Sequence, residues 1–89
     1  MIGSGRPFHV VVVSPERVLY DGEATFAVVP AHDGQMGILH DHAPLLALLG
    51  TGPLRLETAE GTRRFRVSGG FVQVLRNRVT VLSEEAVEA

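Results

Sequence analysis

Leu54, Leu56 and Thr58 alternate with Arg55 and Glu57, and Phe65 and Val67 alternate with Arg64 and Arg66. Successive strand side chains point to opposite faces, so a period of two specifies strands with one buried and one solvated face. Turn formers recur at Ser14-Pro15, Asp21-Gly22, Pro30, Asp33-Gly34, Gly50 to Pro53, Glu60-Gly61, Ser68 to Gly70 and Arg76-Asn77. That rhythm suits strands of about five to seven residues. The segments between them are rich in Val, Phe and Thr, which predicts strands over 8–13, 18–20, 23–29, 54–58, 63–68, 71–75 and 79–83.

Glu60-Gly61 predicts a hairpin between the strands of Leu54 and Phe65, and Arg76-Asn77 a tight hairpin between the last two, so the C-terminal half reads as an antiparallel meander. Phe71, Val72, Val74 and Leu75, with Val79, Val81 and Leu82, are apolar on both faces in places, as in a strand covered from two sides. Two packed sheets account for this better than one open sheet. Adjacent glycines at 69 and 70 then mark a bulge or bend where a strand passes between sheets. The glycines at 34, 37, 50 and 52 suit turn positions of positive φ.

The segment 42–50 is read two ways. Ala43-Pro44 followed by Leu45, Leu46, Leu48 and Leu49 resembles a first helical turn and its apolar face, yet a buried strand fits equally, because short apolar runs do not separate the two by periodicity. Residues 84–89 form an acidic tail with helix-starting character, and residues 1–7 a short flexible arm.

At 89 residues the chain makes one domain, 1–89, marginal enough in buried surface to lean on a partner. It has no cysteine, so neither a disulfide framework nor a cysteine-ligated zinc site is available. A net charge of −2 argues against a nucleic-acid partner. No apolar run reaches the roughly 18 residues of a membrane-spanning helix, and the N-terminus lacks the apolar core of a signal peptide.

The densest polar cluster runs from Pro30 to Pro44. His32, Asp33, His40 and His42 offer nitrogen and oxygen ligands, and a free-standing metal-binding or regulatory sandwich using them is the alternative reading. No Gly-x-Ser-x-Gly elbow surrounds any serine, and the glycines at 34 and 37 lack the Lys and Ser or Thr of a phosphate loop, so no catalytic residues are assigned. A glycine-punctuated loop ahead of the apolar run Leu39, Leu45, Leu46 and Leu48 has the profile of a docking surface, some of these leucines packing on a partner.

Three ordered stretches carry a resemblance. Phe8 to Glu16 with Leu19 to Ala24, then Gly34 to Leu39 with His42 to Leu46, then Val67 to Val74 with Val79 to Leu82, are similar to the epsilon subunit of rotary ATP synthases. The resemblance implies an all-β fold, a flattened antiparallel β-sandwich of about ten short strands. It implies a non-catalytic central-stalk subunit of the proton-translocating enzyme, without cofactor, on the cytoplasmic face of the bacterial membrane and held there only through the complex. By position, Ala31, His32, Asp33, Gly34, Gln35 and Met36 would face the c ring, and His42, Ala43, Pro44, Leu45 and Leu46 the gamma subunit. An isolated copy would be able to form a homodimer through its gamma-facing surface.

The sequence departs from the family pattern at three places. His40-Asp41 stands where Pro-Gly is usual, Ala31 follows Pro30 where Gly is usual, and the chain ends at Ala89 without the family's helical hairpin. The last departure predicts a coupling subunit without the arm that inhibits ATP hydrolysis.

Overall fold

The computed structural model describes residues 5–89; the expected arm 1–7 falls largely outside them. The described residues are all β, with strands β1 (Phe8–Val13), β2 (Val18–Ala24), β3 (Phe26–Ala31), β4 (Gly34–Ile38), β5 (Leu45–Leu48), β6 (Thr51–Thr58), β7 (Gly61–Leu75) and β8 (Arg78–Glu88). They form one hydrogen-bonded sheet in the order β2-β1-β8-β7-β6-β3-β4, with β5 joined separately to β7. Every pairing is antiparallel except β1 with β8, which is parallel.

The sheet becomes a sandwich because β7 and β8 each serve both layers. The first half of β7 pairs with β6 from Gly61 to Ser68, and the second half pairs with β5 from Phe71 to Val74. Between them Gly69 and Gly70 have φ of 73° and 107°. Ser68 lies opposite Glu85 and Gly70 opposite Ser83, so no residue is inserted and the feature is a bend, not a bulge. A Cβ on Gly70 would fall 1.8 Å from the Leu82 carbonyl oxygen, which is why glycine stands there. Buried Ser83 supports the bend on the facing strand, its hydroxyl accepting from the Ser68 N–H and donating to the Glu85 carbonyl. With β7 and β8 each divided at this bend, the eight strands supply ten strand segments, matching the expected flattened sandwich.

The two inner faces meet in one core. Val10, Val12, Val72, Val74, Val79 and Val81 from one layer pack with Ala27, Val29, Ile38, Leu54, Leu56, Phe65 and Val67 from the other. Tyr20 reaches across from β2 to meet Phe65 edge to face, ring centroids 6.4 Å apart. The alternation in β6 and β7 predicts these inward residues as found: Leu54, Leu56, Phe65 and Val67 are buried, and Arg55, Arg64 and Arg66 are exposed.

Several expectations are corrected. Asp21-Gly22 is not a turn but the middle of β2, where Gly22 leaves room for the Tyr20 ring lying along the strand; its Cβ would sit 3.0 Å from the Tyr20 hydroxyl. Pro30 lies within β3, opposite Gln35. Its carbonyl accepts from the Gly50 N–H at 2.7 Å, and the missing proline N–H faces that same side, beyond the span where β6 pairs. Gly37 belongs to β4 and lacks positive φ, as does Gly50. A Cβ at 37 would crowd the Phe26 ring at 3.3 Å, and one at 50 the Ala31 carbonyl at 2.9 Å, so close approach selects glycine at both. The segment 42–50 is no helix; it enters β5 after Pro44. Residues 84–88 are not a tail but the second half of β8, in which Glu85 to Glu88 pair with Ser68 to Phe65, and the Ala89 N–H donates to the Arg64 carbonyl.

Candidate functional site

The residues expected to form one loop, Ala31 to Met36, form a β-hairpin. Ala31 ends β3, His32 and Asp33 make the turn, and Gly34, Gln35 and Met36 open β4. Gly34 has φ of 136°, and no heavy atom lies within 4 Å of where its Cβ would be. His32, Asp33, Gly34 and Gln35 are exposed, whereas Met36 is half-buried against the core. The hairpin is not free at its turn. The His32 N–H donates to the Leu48 carbonyl at 3.0 Å, and Ala31 makes a bridge to Leu49. Its end is thereby tied to β5 in the opposite layer.

The second group divides between a connection and a strand. His42, Ala43 and Pro44 lie in the loop from β4 to β5, and Leu45 and Leu46 begin β5. Strand alternation separates the leucines: Leu45 packs on the core, Leu49 is buried in it, and Leu46 and Leu48 point outward. Leu46 is 66% exposed and Leu48 55%.

Cross-strand register carries this apolar character over the outer face. Leu48 is opposite Phe71, Phe71 opposite Leu82, Leu82 opposite Val13, and Val13 opposite Val18. Directly opposed residues share a face, so they make one apolar row across β5, β7, β8, β1 and β2. Phe71 and Leu82 are 47% and 49% exposed, far more than a core position allows. Leu46, Phe71 and Leu82, with Gln73 and Thr80, line a shallow depression of about 220 Å³. Sequence reasoning read the two-sided apolar run from Phe71 to Leu82 as a strand covered from both sides. One side is the core, and the other is open in this chain.

The loop ahead of β5 is held from below. Asp41, with φ of 66°, donates its N–H to the Asn77 side-chain oxygen at 2.6 Å, and the Asn77 amide donates back to the Asp41 carboxylate at 3.1 Å. The Asn77 amide hydrogen bond, with His40 and Arg6 helping, holds the Asp41 carboxyl below the usual carboxylate range. His42 Nδ1 is 2.8 Å from the Ala43 carbonyl, and its backbone N–H donates to Leu39.

The four residues of the metal reading do not converge. Among the described residues, no group of three or more His, Cys, Asp or Glu side chains is placed to hold a metal ion. His40 faces Asp41 at 3.3 Å, while His32 and Asp33 sit at the hairpin turn beyond the far end of β4. Extended geometry is the reason: β4 separates the two parts of the cluster by its whole length. A wider depression, of about 630 Å³, opens elsewhere, between β2 and the β6–β7 turn, lined by Tyr20, Asp21, Glu23, Thr58 and Glu60 among others. Among the described residues, no buried side-chain nitrogen or oxygen is left without a hydrogen-bond partner.

The fold and its surface define a two-layer β-sandwich domain with one open apolar face. Residues 7–89 match the family described as the ATP synthase delta/epsilon chain β-sandwich domain, and the chain belongs to that family. It is 46% identical over 80 residues to the ATP synthase epsilon chain of Syntrophomonas wolfei, covering 89% of this chain and 58% of that one. It is 39% identical over 89 residues to the ATP synthase epsilon chain of Rubrobacter xylanophilus, covering 100% of this chain and 61% of the relative. The chain thus spans about three fifths of the length of these relatives. A chain in the mitochondrial ATP synthase of Euglena gracilis, from a structure of OSCP, F1 and c ring, shares the fold with a TM-score of 0.84 at 22% identity, covering 99% of this chain and 59% of that one.

Proposed function

We propose that this chain supplies the β-sandwich of an ATP synthase epsilon subunit, a non-catalytic part of the rotating central stalk that couples the c ring to the gamma subunit. The observation that carries the reading is the open apolar row of Leu48, Phe71 and Leu82 with neighbouring Leu46. Such a contiguous face on so small a domain is costly in water and favours a permanent partner. Kinship with epsilon chains supports gamma as that partner, to be reached through Leu46 and the row beside it, with His42, Ala43 and Pro44 at the rim. Leu45 serves the core and supports the contact from behind.

The polar hairpin of Ala31 to Met36 is assigned to the loops of the c ring, through exposed His32, Asp33, Gly34 and Gln35. Torque taken up there has a short route to gamma. The hairpin is bonded to β5 through His32 and Leu48 and to the residue pair after it through Pro30 and Gly50, and β5 carries the apolar contact. A close-packed interior yields little under such a load. The chain would sit on the cytoplasmic face of a bacterial membrane through the complex alone, and copies isolated from gamma would be able to pair through the same apolar face.

Replacing Leu46 by Asp tests the reading, because its exposure separates docking from folding. The melting temperature should move by no more than a few degrees, while affinity for the gamma subunit of the same source falls about tenfold or more. Unchanged affinity in the folded variant would remove the apolar face from the account.

A further inference from the structure

Asp41 and Asn77 lie 36 residues apart in sequence and belong to different connections, yet each supplies both a donor and an acceptor to the other. Both adopt left-handed backbone conformations, with φ of 66° and 62°, which a residue other than glycine holds at a cost. Asn77 is anchored in turn, since its carbonyl accepts from the His9 N–H of β1 at 2.9 Å. The connection before β5 has few other ties: His42 N–H to Leu39, and the contact of His40 with Asp41. We propose that the Asp41–Asn77 pair is a clamp that holds the His40–Pro44 connection against the β7–β8 turn and so presents His42, Ala43 and Leu46 pre-organised to the gamma subunit. The proposal rests on gamma being the partner of this face.

Asn77 and Asp41 are positioning residues on this account. Neither belongs to the apolar row, and they act by sparing the partner the entropy of ordering the connection. The turn Arg76-Asn77 thereby gains a role beyond closing a hairpin, because it links β1, β7 and β8 to the docking rim.

Glycine substitutions test the clamp, since they tolerate the left-handed conformation and remove only the side chain. Asn77→Gly deletes both hydrogen bonds and Asp41→Gly deletes one, whereas Asp41→Asn keeps an acceptor and suits the same backbone. The measurements are hydrogen exchange at the Asp41 and His42 amides and the dissociation constant for gamma. Asn77→Gly should speed exchange at both amides and weaken binding about three- to tenfold. Asp41→Gly should do so less, Asp41→Asn should bind as the parent does, and the double glycine variant should be no weaker than Asn77→Gly. Faster exchange with unchanged affinity, or additive losses in the double variant, would overturn the clamp as a positioning device. If the parent chain itself fails to bind gamma, the partner assignment fails and takes this proposal with it.

Discussion

At the scale of single residues, the electrostatics concentrate in two exposed pairs. Arg63 lies 2.7 Å from Glu88, and its guanidinium also covers the rings of Tyr20 and Phe65 at 5.2 and 5.7 Å. The hydrogen bond from Arg63 holds the Glu88 carboxyl below its usual range, as the Asn77 amide does for Asp41. Both groups therefore bind a proton less readily in the folded chain than in the unfolded one. Their stabilising contribution is complete above the ordinary values of 4.5 and 3.8, and it is lost as pH falls through the lowered folded values. The melting temperature should hold steady from about pH 7 to 5 and then fall, and a Glu88→Gln, Asp41→Asn double variant should fall less steeply. Parallel curves for the parent and the double variant would show that these pairs contribute nothing. Histidines had suggested a metal from sequence, because residue type and spacing are visible there and the intervening length of β4 is not. Asp41 adopts a left-handed backbone, with φ of 66°, that sequence alone would assign to glycine before aspartate.

Among the elements, β7 decides the fold, and its bend is the position most sensitive to change. Gly70→Ala brings a Cβ onto the Leu82 carbonyl at a φ of 107°, and it should cost about 3 kcal/mol or more in denaturant unfolding. Gly34→Ala, with open space around it but a φ of 136° that strains any side chain, should cost less, about 1 to 2 kcal/mol. Equal losses would mean that backbone conformation alone, and not the clash, sets the requirement at Gly70. The central strands were legible because each has one solvated face: β6 and β7 show it as Leu54, Leu56, Phe65 and Val67 against arginines. β4 was not, since Gly-Gln-Met-Gly carries no alternation of its own and becomes a strand by pairing with β3. The continuation of β2 through Asp21-Gly22 was hidden for a related reason, as its glycine serves the Tyr20 ring and not a turn. Glu84 and Glu85 masked the second half of β8, which forms because Phe65 to Ser68 offer an edge to pair with. The apolar outer row was visible as composition but not as exposure, because sequence does not say which of two covers a strand has.

For the whole molecule, the sandwich joins two surfaces of opposite character through one short strand. The polar hairpin at His32 and Asp33 and the apolar row from Leu46 to Leu82 are both fastened to β5, so a load on either is passed to the close-packed core. On the proposed reading the apolar row seats a gamma subunit. Titration calorimetry of this chain against purified gamma from the same source tests it most directly, with the domain checked as folded beforehand. The account predicts a one-to-one complex of micromolar affinity or tighter, with the negative heat-capacity change that accompanies burial of apolar surface. Absence of binding by the folded chain at concentrations well above micromolar, or a complex formed without that heat-capacity change, would contradict it.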